Sequence, residues 1–326
     1  MKSPTYVYSR ISSDSVCNLI TWHYDLTIII KCNFYVSGLH DNYLIETINK
    51  KYILRIYRND WRSKQDVAFE LELLNFIDDK AAAVCAPLIT KTKHNSFTID
   101  SPEGKRLAAL FPYADGVSPG KEMTVEQGFL LGKSIAHLHN ITDTFETDLP
   151  GRILDITYLL DESVIAINPF LDEKGKKYLS SLQSVLHDIA PSLQKKPEVY
   201  GICIGDVNPT NFHINSKNHI TLFDFDQCGY GFRTFEIGKF ISSIHTANKK
   251  HEISQSFLDA YQTVRQLSDE EVSAIPYYEL ISFIWVMAIH AYNSEYIGHK
   301  YLQKTFWDKR IEVLKALQKT VVIAQY

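Results

Sequence analysis

The sequence predicts an α+β protein with two lobes, a small N-terminal lobe with an antiparallel β-sheet and one helix, and a larger, mainly helical C-terminal lobe. Two observations lead to this prediction. Three β-rich segments separated by short turns lie in the first third of the chain, and segments with a helical apolar period dominate the remainder. The predicted boundary gives lobes of residues 1–111 and 112–326.

The small lobe is predicted to begin with a helix that Ser13 and Asp14 cap and that runs through Thr21. The segments LTIIIKCNFYV, NYLIETI and KYILRIYR are predicted strands, and the short turns between them favour an antiparallel meander. The segment SKQDVAFELELLNFIDDK has the apolar spacing of a helix, with Ser63 as its N-cap. Two further strands, SFTID and RLAALFPYA, precede a turn at 115–116.

The larger lobe is predicted to begin with a helix in TVEQGFLLGKSIAHLHN, where Thr124 and Gln127 have the spacing of a capping box. Residues 153–194 are predicted to be helical, with a break at NPF. Two short strands then flank the polar turn NSKN. Helices are predicted over 235–320, with a break at Pro276.

Composition and charge exclude several classes of protein. A formal net charge of −4 lacks the basic excess of a nucleic-acid-binding protein. The five scattered cysteines predict neither a disulfide framework nor a CxxC metal site, and favour a reducing, cytoplasmic location. The first residues lack the apolar core of a signal peptide. The longest uncharged stretch, Leu280 to Ser294, is shorter than the roughly 20 residues of a membrane-spanning helix, so we expect a buried helix and no membrane association. The oligomeric state stays open.

Three polar residues in YGICIGDVNPTNFHINSKNHITLFDF have a spacing that suits phosphoryl transfer. Asn211 follows Asp206 by five residues, and Asp224 lies after a predicted hairpin. Phosphoryl transfer requires a carboxylate that orients the attacking hydroxyl, and oxygen ligands that hold Mg²⁺ against the phosphates. Asp206 suits the first role as the catalytic residue, and Asn211 and Asp224 suit the second as metal ligands.

The segments GDVNPTNFHI and ITLFDFDQCGYGFRTFEIGKF resemble the aminoglycoside phosphotransferase and choline kinase-like family, whose members are related to the protein kinases. Within that family the chain is most similar to the bacterial stress-response kinase and homoserine kinase-like branch. The resemblance extends through GLHDNYLIETINKKYILRIYR, FELELLNFI, LFPYADG and LGKSIAHLHN. It implies a protein kinase-like fold, with nucleotide bound by the N-terminal lobe and catalysis in the C-terminal lobe. Asp206 matches the catalytic-loop Asp, Asn211 the metal-binding Asn, and Asp224 the first residue of the D-F-G motif, which reads DFD here.

The resemblance also implies residues that bind the nucleotide phosphates. Arg55 stands where kinases have a strand Lys, and Glu70 is its expected helix partner, with Glu72 as the alternative. Asp226 is a possible further contact of the metal, and Glu236 stands where the family has an acidic residue that braces the catalytic loop. For both of these, a structural role is the favoured interpretation.

Two other segments are assigned to the nucleotide through the resemblance. Ser37 and Gly38, in the loop after the first strand, are expected near the phosphates, although the loop lacks a G-x-G-x-x-G pattern. The backbone from Phe111 to Tyr113 is expected to contact an adenine between the lobes.

These residues support two classes of function. The first is a kinase that uses Mg²⁺ and ATP, with GTP as an open alternative, to phosphorylate a hydroxyl of a small molecule such as an aminoglycoside or homoserine, or of a protein Ser/Thr. The second is a pseudokinase-like module that binds nucleotide without turnover, because Ile204 replaces a His common in the family and Arg55 replaces a Lys. Asp161 and Glu162 are candidate contacts for an amine in the acceptor. A metal-dependent hydrolase is a distant third.

Overall fold

A computed structural model describes residues 6–80, 82–189 and 193–323 of the chain. These separate into two compact units, the first formed by Met1–Asp115, Glu146–Pro150 and Thr221–Phe223, and the second by Gly116–Phe145, Gly151–Ile220 and Asp224–Tyr326. The lobe boundary between residues 111 and 112 stays a prediction.

The first part of the chain forms an antiparallel sheet and two helices. Its elements are α1 (Ser13–His23), β1 (Ile29–Ser37), β2 (Asp41–Thr47), β3 (Lys51–Ile56), α2 (Lys64–Asp79), β4 (Phe97–Ser101) and β5 (Gly104–Pro112). The sheet has the strand order β1-β2-β3-β5-β4, and each neighbouring pair is antiparallel. The predicted meander of the first three strands is therefore confirmed.

Both helices of this unit begin at side chains that bind the free N–H groups of the first turn. Ser63 caps α2 as predicted and forms a capping box with Asp66. The cap of α1 is Ser12, whose hydroxyl accepts from the Ser15 N–H at 3.3 Å, so the predicted cap at Ser13 and Asp14 was wrong by one or two residues. The apolar face of α1 packs into the core of the sheet through Val16 and Ile20.

One pair of cysteines corrects the prediction that the scattered cysteines form no disulfide framework. Cys17 of α1 and Cys32 of β1 form a disulfide, with Cα atoms 5.8 Å apart. Because α1 packs against β1, the pair meets through tertiary structure that the spacing of cysteines in the sequence does not reveal. Cys85, Cys203 and Cys228 are buried and take no part in this disulfide.

The rest of the chain is mainly helical. Its helices are α3 (Val125–Thr142), α4 (Glu162–Ile167), α5 (Glu173–Ile189), α6 (Arg233–Ser243), α7 (Lys250–Gln262), α8 (Asp269–Tyr292), α9 (Ser294–Ile297) and α10 (Lys304–Ile323). Its strands are β6 (Ile153–Leu154), β7 (Tyr200–Cys203), β8 (Phe212–Ile214), β9 (Ile220–Leu222) and β10 (Gly229–Phe232). They form a three-stranded sheet, β6-β10-β7, and a two-stranded sheet, β8-β9. The predicted α+β class is thus confirmed.

Two predictions for this part of the chain were wrong. Residues 153–194 do not begin as a helix, since β6 opens this stretch and a π-helical turn, Thr157–Asp161, precedes α4. Pro276 does not end a helix but lies inside α8. A proline within a helix removes one main-chain hydrogen bond, and the burial of most of α8 among apolar neighbours offsets that loss.

The helix α8 forms much of the second core. Its length and hydropathy would suffice for a membrane span, but 67% of its most apolar window is buried inside the protein, as in a core helix. It packs in one apolar cluster with α4, α5 and α10, which includes Trp285 and Trp307. The predicted buried helix in this region is confirmed.

The helices α3 and α7 approach each other closely at Gly132. A Cβ atom on Gly132 would lie 2.1 Å from the Phe257 carbonyl oxygen, which is backbone and cannot rotate away. The close approach matters for the site described below, because α3 also carries the buried side chain of His139.

We expect Gly132→Ala to destabilise the protein by about 2 kcal/mol, because overpacking against backbone outweighs the gain in helix propensity. Gly175→Ala in α5 is the matched control, since the nearest atom to its Cβ would be 3.3 Å away. Urea unfolding of both variants measures the difference, and equal free energies of unfolding would contradict the packing argument.

Candidate functional site

The loop that follows β7 carries the predicted catalytic residue. Gly205 precedes Asp206 with a φ of 84°, and a Cβ on it would lie 2.3 Å from the Gln227 carbonyl oxygen. Only glycine combines that backbone angle with so close an approach. The chain can therefore turn sharply after Ile204 and place Asp206 at the surface of a cavity.

Glu236 of α6 holds this turn from the protein interior. Its carboxylate accepts the N–H groups of Ile204 and Gly205, the latter at 2.9 Å. Burial raises the pKa of Glu236 to about 7, although the two N–H donors and the nearby Arg233 act in the opposite direction. The Ile204 side chain is only 2% exposed, so it packs in the core while its backbone is braced by Glu236.

Glu236 belongs to a buried polar cluster with His139 and Cys203, whose ligand atoms lie within 4.8 Å of one another. The His139 Nδ1 lies 2.8 Å from the Tyr261 hydroxyl, and its Nε2 lies 3.5 Å from Glu236. Burial lowers the pKa of His139 and raises that of the Cys203 thiol, which favours the neutral form of both groups. Since a thiol must lose its proton to bind a metal, the cluster has the character of a structural network.

Asp206 is held from two sides. The Lys239 ammonium of α6 lies 2.6 Å from one carboxylate oxygen, and the Asn211 amide donates to the other at 3.0 Å. The Lys239 side chain is 3% exposed and that of Asp206 is 29% exposed, so the lysine binds from the protein side and the carboxylate still reaches solvent. A charge-assisted bond to a buried lysine fixes the carboxylate more firmly than a neutral bond would.

Sequence reasoning did not identify Lys239. The available signal was its place in FEIGKFI, three residues after Glu236, where a lone cation interrupts an apolar helix. Residues three apart lie on one face of a helix, so both side chains of α6 point to the same loop.

The predicted metal ligands lie at one end of a hairpin. Asn211 directly precedes β8 and Asp224 follows β9 by two residues. Strands joined by so short a turn must run antiparallel, which brings the start of β8 and the end of β9 together. The Asn211 amide nitrogen donates to Asp206, and its oxygen accepts from the Thr210 hydroxyl at 3.4 Å and keeps a second lone pair for a cation. Asp224 has a φ of 68°, a conformation that Asp tolerates better than most residues.

Asp226, the weaker metal candidate, is buried, and the Gln227 amide donates to its carboxylate at 3.2 Å. An oxygen donor set of this kind, two carboxylates and one amide, suits a hard divalent cation.

In the first unit, Arg55 and Glu70 form a buried ion pair of 3.2 Å. The Tyr57 hydroxyl donates to the second oxygen of Glu70 at 3.0 Å, and the Arg55 guanidinium lies 5.5 Å from the centre of the Phe111 ring. Glu70, and not Glu72, is thus the helix partner of Arg55.

The other residues assigned to the nucleotide are engaged in local structure. Ser37 donates to Asp41 at 3.2 Å, and the Gly38 N–H donates to the His40 carbonyl at 3.1 Å. The Tyr113 N–H donates to the Lys51 carbonyl at 3.0 Å. Phe111 is buried and pairs with Ile53 in the sheet.

Because these bonds occupy the Gly38 and Tyr113 N–H groups, contacts of the Ser37–Gly38 loop or the segment Phe111 to Tyr113 with a nucleotide would use neighbouring groups or a rearranged loop. Their assignment stays a prediction.

A cavity of about 370 Å³ lies beside Asp206, within the second unit. Its lining includes Lys239 of α6, Phe283 of α8 and Arg310 of α10. The predicted amine contact Asp161 does not line it, and its carboxylate instead accepts from Gln183 and His187 at 2.7 Å each. The size is that of a small-molecule site.

Comparison with known proteins gives one matching family and several similar chains. Residues 32–272 match the family described as "Phosphotransferase enzyme family". An uncharacterized protein of Synechocystis is 35% identical over 316 residues, which cover 96% of this chain and 88% of that protein. A homoserine kinase of Afipia carboxidovorans is 23% identical over 283 residues, covering 83% and 81% of the two chains.

Solved structures share the fold at low sequence identity. A microcompartment-associated aminopropanol kinase has a TM-score of 0.79 at 19% identity, with 93% of this chain and 95% of that chain covered. An amicoumacin kinase in complex with AMP-PNP, Ca²⁺ and Ami has a TM-score of 0.78 at 16% identity, covering 95% of this chain and 94% of that chain.

The raised pKa of Glu236 predicts a pH-dependent stability. Its folded-state pKa of about 7 lies above the ordinary value of 4.5, so the folded state holds the proton more tightly. This contribution to stability is complete below about pH 4.5 and is lost as the pH rises through about 7. Relative to Glu236→Gln, which cannot titrate, the wild-type free energy of unfolding should fall by about 2 to 3 kcal/mol between pH 5 and 8.

Urea unfolding of both proteins at several pH values measures that difference. Glu252→Gln, at an exposed position of α7, is the control for the loss of a surface carboxylate. A stability difference between wild type and Glu236→Gln that does not change with pH would contradict the assignment.

Proposed function

Since this chain belongs to the phosphotransferase enzyme family, we propose that it is a kinase that uses ATP and Mg²⁺ to phosphorylate a hydroxyl group of a small molecule. The family predicted from the sequence motifs and the protein kinase-like fold are both confirmed. GTP is the alternative donor.

The observation that carries the proposal is the arrangement around Asp206. Its carboxylate is held by Lys239 and Asn211 and lines a cavity large enough for a small molecule. A carboxylate in this position can orient an acceptor hydroxyl and receive its proton. The acceptor oxygen would bond to the γ-phosphorus while the bond from that phosphorus to the β–γ bridging oxygen breaks, and ADP leaves with that oxygen.

Lys239 acts through Asp206 in this proposal. Because one carboxylate oxygen is bound to the lysine and the other to the Asn211 amide, the group cannot rotate freely. Orientation of this kind lowers the entropy that must be lost when the hydroxyl and the carboxylate meet.

Asn211 and Asp224 are the proposed ligands of Mg²⁺, and Asp226 is a further oxygen donor nearby in sequence. Bound Mg²⁺ would neutralise charge on the phosphates of the nucleotide. The nucleotide contacts that we propose in the first unit are Arg55 with its partner Glu70, the Ser37–Gly38 loop, and the segment Phe111 to Tyr113.

Two further observations support this reading. The amicoumacin kinase of similar fold was solved with an ATP analogue and a divalent cation. The cavity beside Asp206 favours a small acceptor over a protein segment, because its volume of about 370 Å³ suits a compact ligand.

The proposed location is the cytoplasm, where ATP is supplied, although the Cys17–Cys32 disulfide would be favoured by an oxidising environment.

Asp206→Asn should lower the rate of acceptor-dependent ADP formation by at least about 10²-fold, because the amide cannot accept the proton. The assay measures ADP release against a panel of hydroxyl acceptors, with nucleotide binding measured in parallel. Asp188→Asn, at an exposed position of α5, is the matched control. Unchanged turnover in Asp206→Asn would contradict the assignment, and ATP binding without turnover in the wild type would favour the pseudokinase alternative.

The metal assignment predicts that EDTA abolishes ADP formation and that added Mg²⁺ restores it. Asn211→Ala should raise the Mg²⁺ concentration required for half-maximal activity by about 10-fold or more, because one oxygen ligand is lost. Asn248→Ala, at an exposed position before α7, is the control. An unchanged Mg²⁺ requirement in Asn211→Ala would exclude that residue as a ligand.

A further inference from the structure

The charges that line the cavity beside Asp206 indicate the chemistry of the acceptor. Among the described residues, its walls carry the cations of Lys121, Lys239 and Arg310 but a single carboxylate, that of Asp206. Lys239 and Asp206 form an ion pair, so their charges offset each other. His245 also lines the cavity, and burial lowers its pKa, which favours its neutral form. The uncompensated charges are therefore both positive.

Of these two uncompensated cations, Arg310 is the more firmly held. In the described part of the chain no carboxylate lies within ion-pair distance of its guanidinium, and one guanidinium nitrogen lies 3.5 Å from the His290 Nδ1. Its Nε atom is buried without a hydrogen-bond partner. The guanidinium lies 5.1 Å from the Phe283 ring centre and 5.4 Å from that of Phe306, which holds it against the wall.

Burial of the Arg310 charge is unfavourable because no counter-ion pairs with it among the described residues. Burial lowers the pKa of Arg310, a sign that removal from water opposes its charge, yet a guanidinium stays protonated in proteins. Burying an unpaired charge has an unfavourable desolvation free energy. An anion bound in the cavity would offset this free energy for the Arg310 guanidinium.

Lys121 supplies the second charge. It lies in the short 3₁₀ turn Gly120–Glu122 at the edge of the same cavity, and its side chain is exposed. No ion pair involves it in the residues that the structure describes. An exposed lysine is flexible and strongly hydrated, and is suited to attracting an anion, while the planar arginine can bind it through two donors.

Building on the proposed function, we infer that the acceptor carries an anionic group, a carboxylate or a phosphate, in addition to its hydroxyl. Arg310 and Lys121 bind the anion, and the hydroxyl faces Asp206. A polycationic acceptor such as an aminoglycoside would add positive charge to walls that already carry it. The cavity thus disfavours aminoglycoside acceptors, for which a broad acidic rim would be expected.

The test uses pairs of compounds that differ in the anionic group alone. Homoserine is compared with 3-aminopropanol, which lacks the carboxylate, and glycerol 3-phosphate with glycerol, which lacks the phosphate. Kanamycin is the polycation. Each is titrated by calorimetry into the full chain with AMP-PNP and Mg²⁺ present, so that binding is measured without turnover. Binding of AMP-PNP alone is measured first, because its failure would count against the proposed function and not against the charge of the acceptor.

The anionic member of at least one pair should bind at least about 10-fold more tightly than its partner, and the pair that responds distinguishes carboxylate from phosphate. Compounds that lack the anionic group, kanamycin included, and bind as tightly as the members that carry it would overturn the inference. So would the failure of both anionic compounds to bind.

Two substitutions then locate the anion. Arg310→Gln and Lys121→Gln should each weaken binding of the member that carries the anionic group by about 10- to 100-fold without weakening that of the partner that lacks it. Lys309→Gln, which removes an equal charge from the neighbouring, exposed position of α10, should bind like the wild type. If Arg310→Gln fails to fold, the binding measured with Lys121→Gln, a change at an exposed position, tests the inference by itself. An equal loss for both members of a pair in these variants would overturn the inference.

Discussion

The geometry of the site depends on one buried carboxylate, that of Glu236. It accepts the backbone N–H groups of Ile204 and Gly205, which would otherwise be unsatisfied inside the protein. Burial of Glu236 is itself unfavourable, as its raised pKa shows. Two main-chain hydrogen bonds to the Glu236 carboxylate offset the unfavourable free energy of its burial, and they fix the turn from which Asp206 projects. The Ile204 that stands in place of a histidine does not remove this brace, since the brace is made to the backbone.

The parts that could be predicted from the sequence are those that local patterns determine. Short turns between β-rich segments specified the meander, and the caps at Ser63 and Thr124 specified where two helices begin. The spacing of Asp206, Asn211 and Asp224 indicated the reaction because a loop and a hairpin place such residues close together with few long-range contacts. Membership of the phosphotransferase family rests on the same motif region and most of the chain around it.

What could not be predicted depends on contacts between distant segments. The strands β6, β7 and β10 are two to four residues long and exist because they pair with one another, not because of their own pattern. The Cys17–Cys32 disulfide requires that α1 fold onto β1. Arg310 reaches the cavity from a helix near the end of the chain, and nothing in KRIEVLK distinguishes it from a surface cation.

The position of Glu236 and Lys239 on one helix has a consequence for how this enzyme can change. One turn of α6 sets both the backbone of the loop, through Glu236, and the direction of the Asp206 carboxylate, through Lys239. Each residue advances a helix by about 100°, so the loss or gain of one residue between them would turn one side chain away from the loop. An insertion or deletion in this turn would therefore break one of the two contacts, whereas a substitution would leave the helical register unchanged. The helical register of α6 thus fixes both contacts to the loop that carries Asp206.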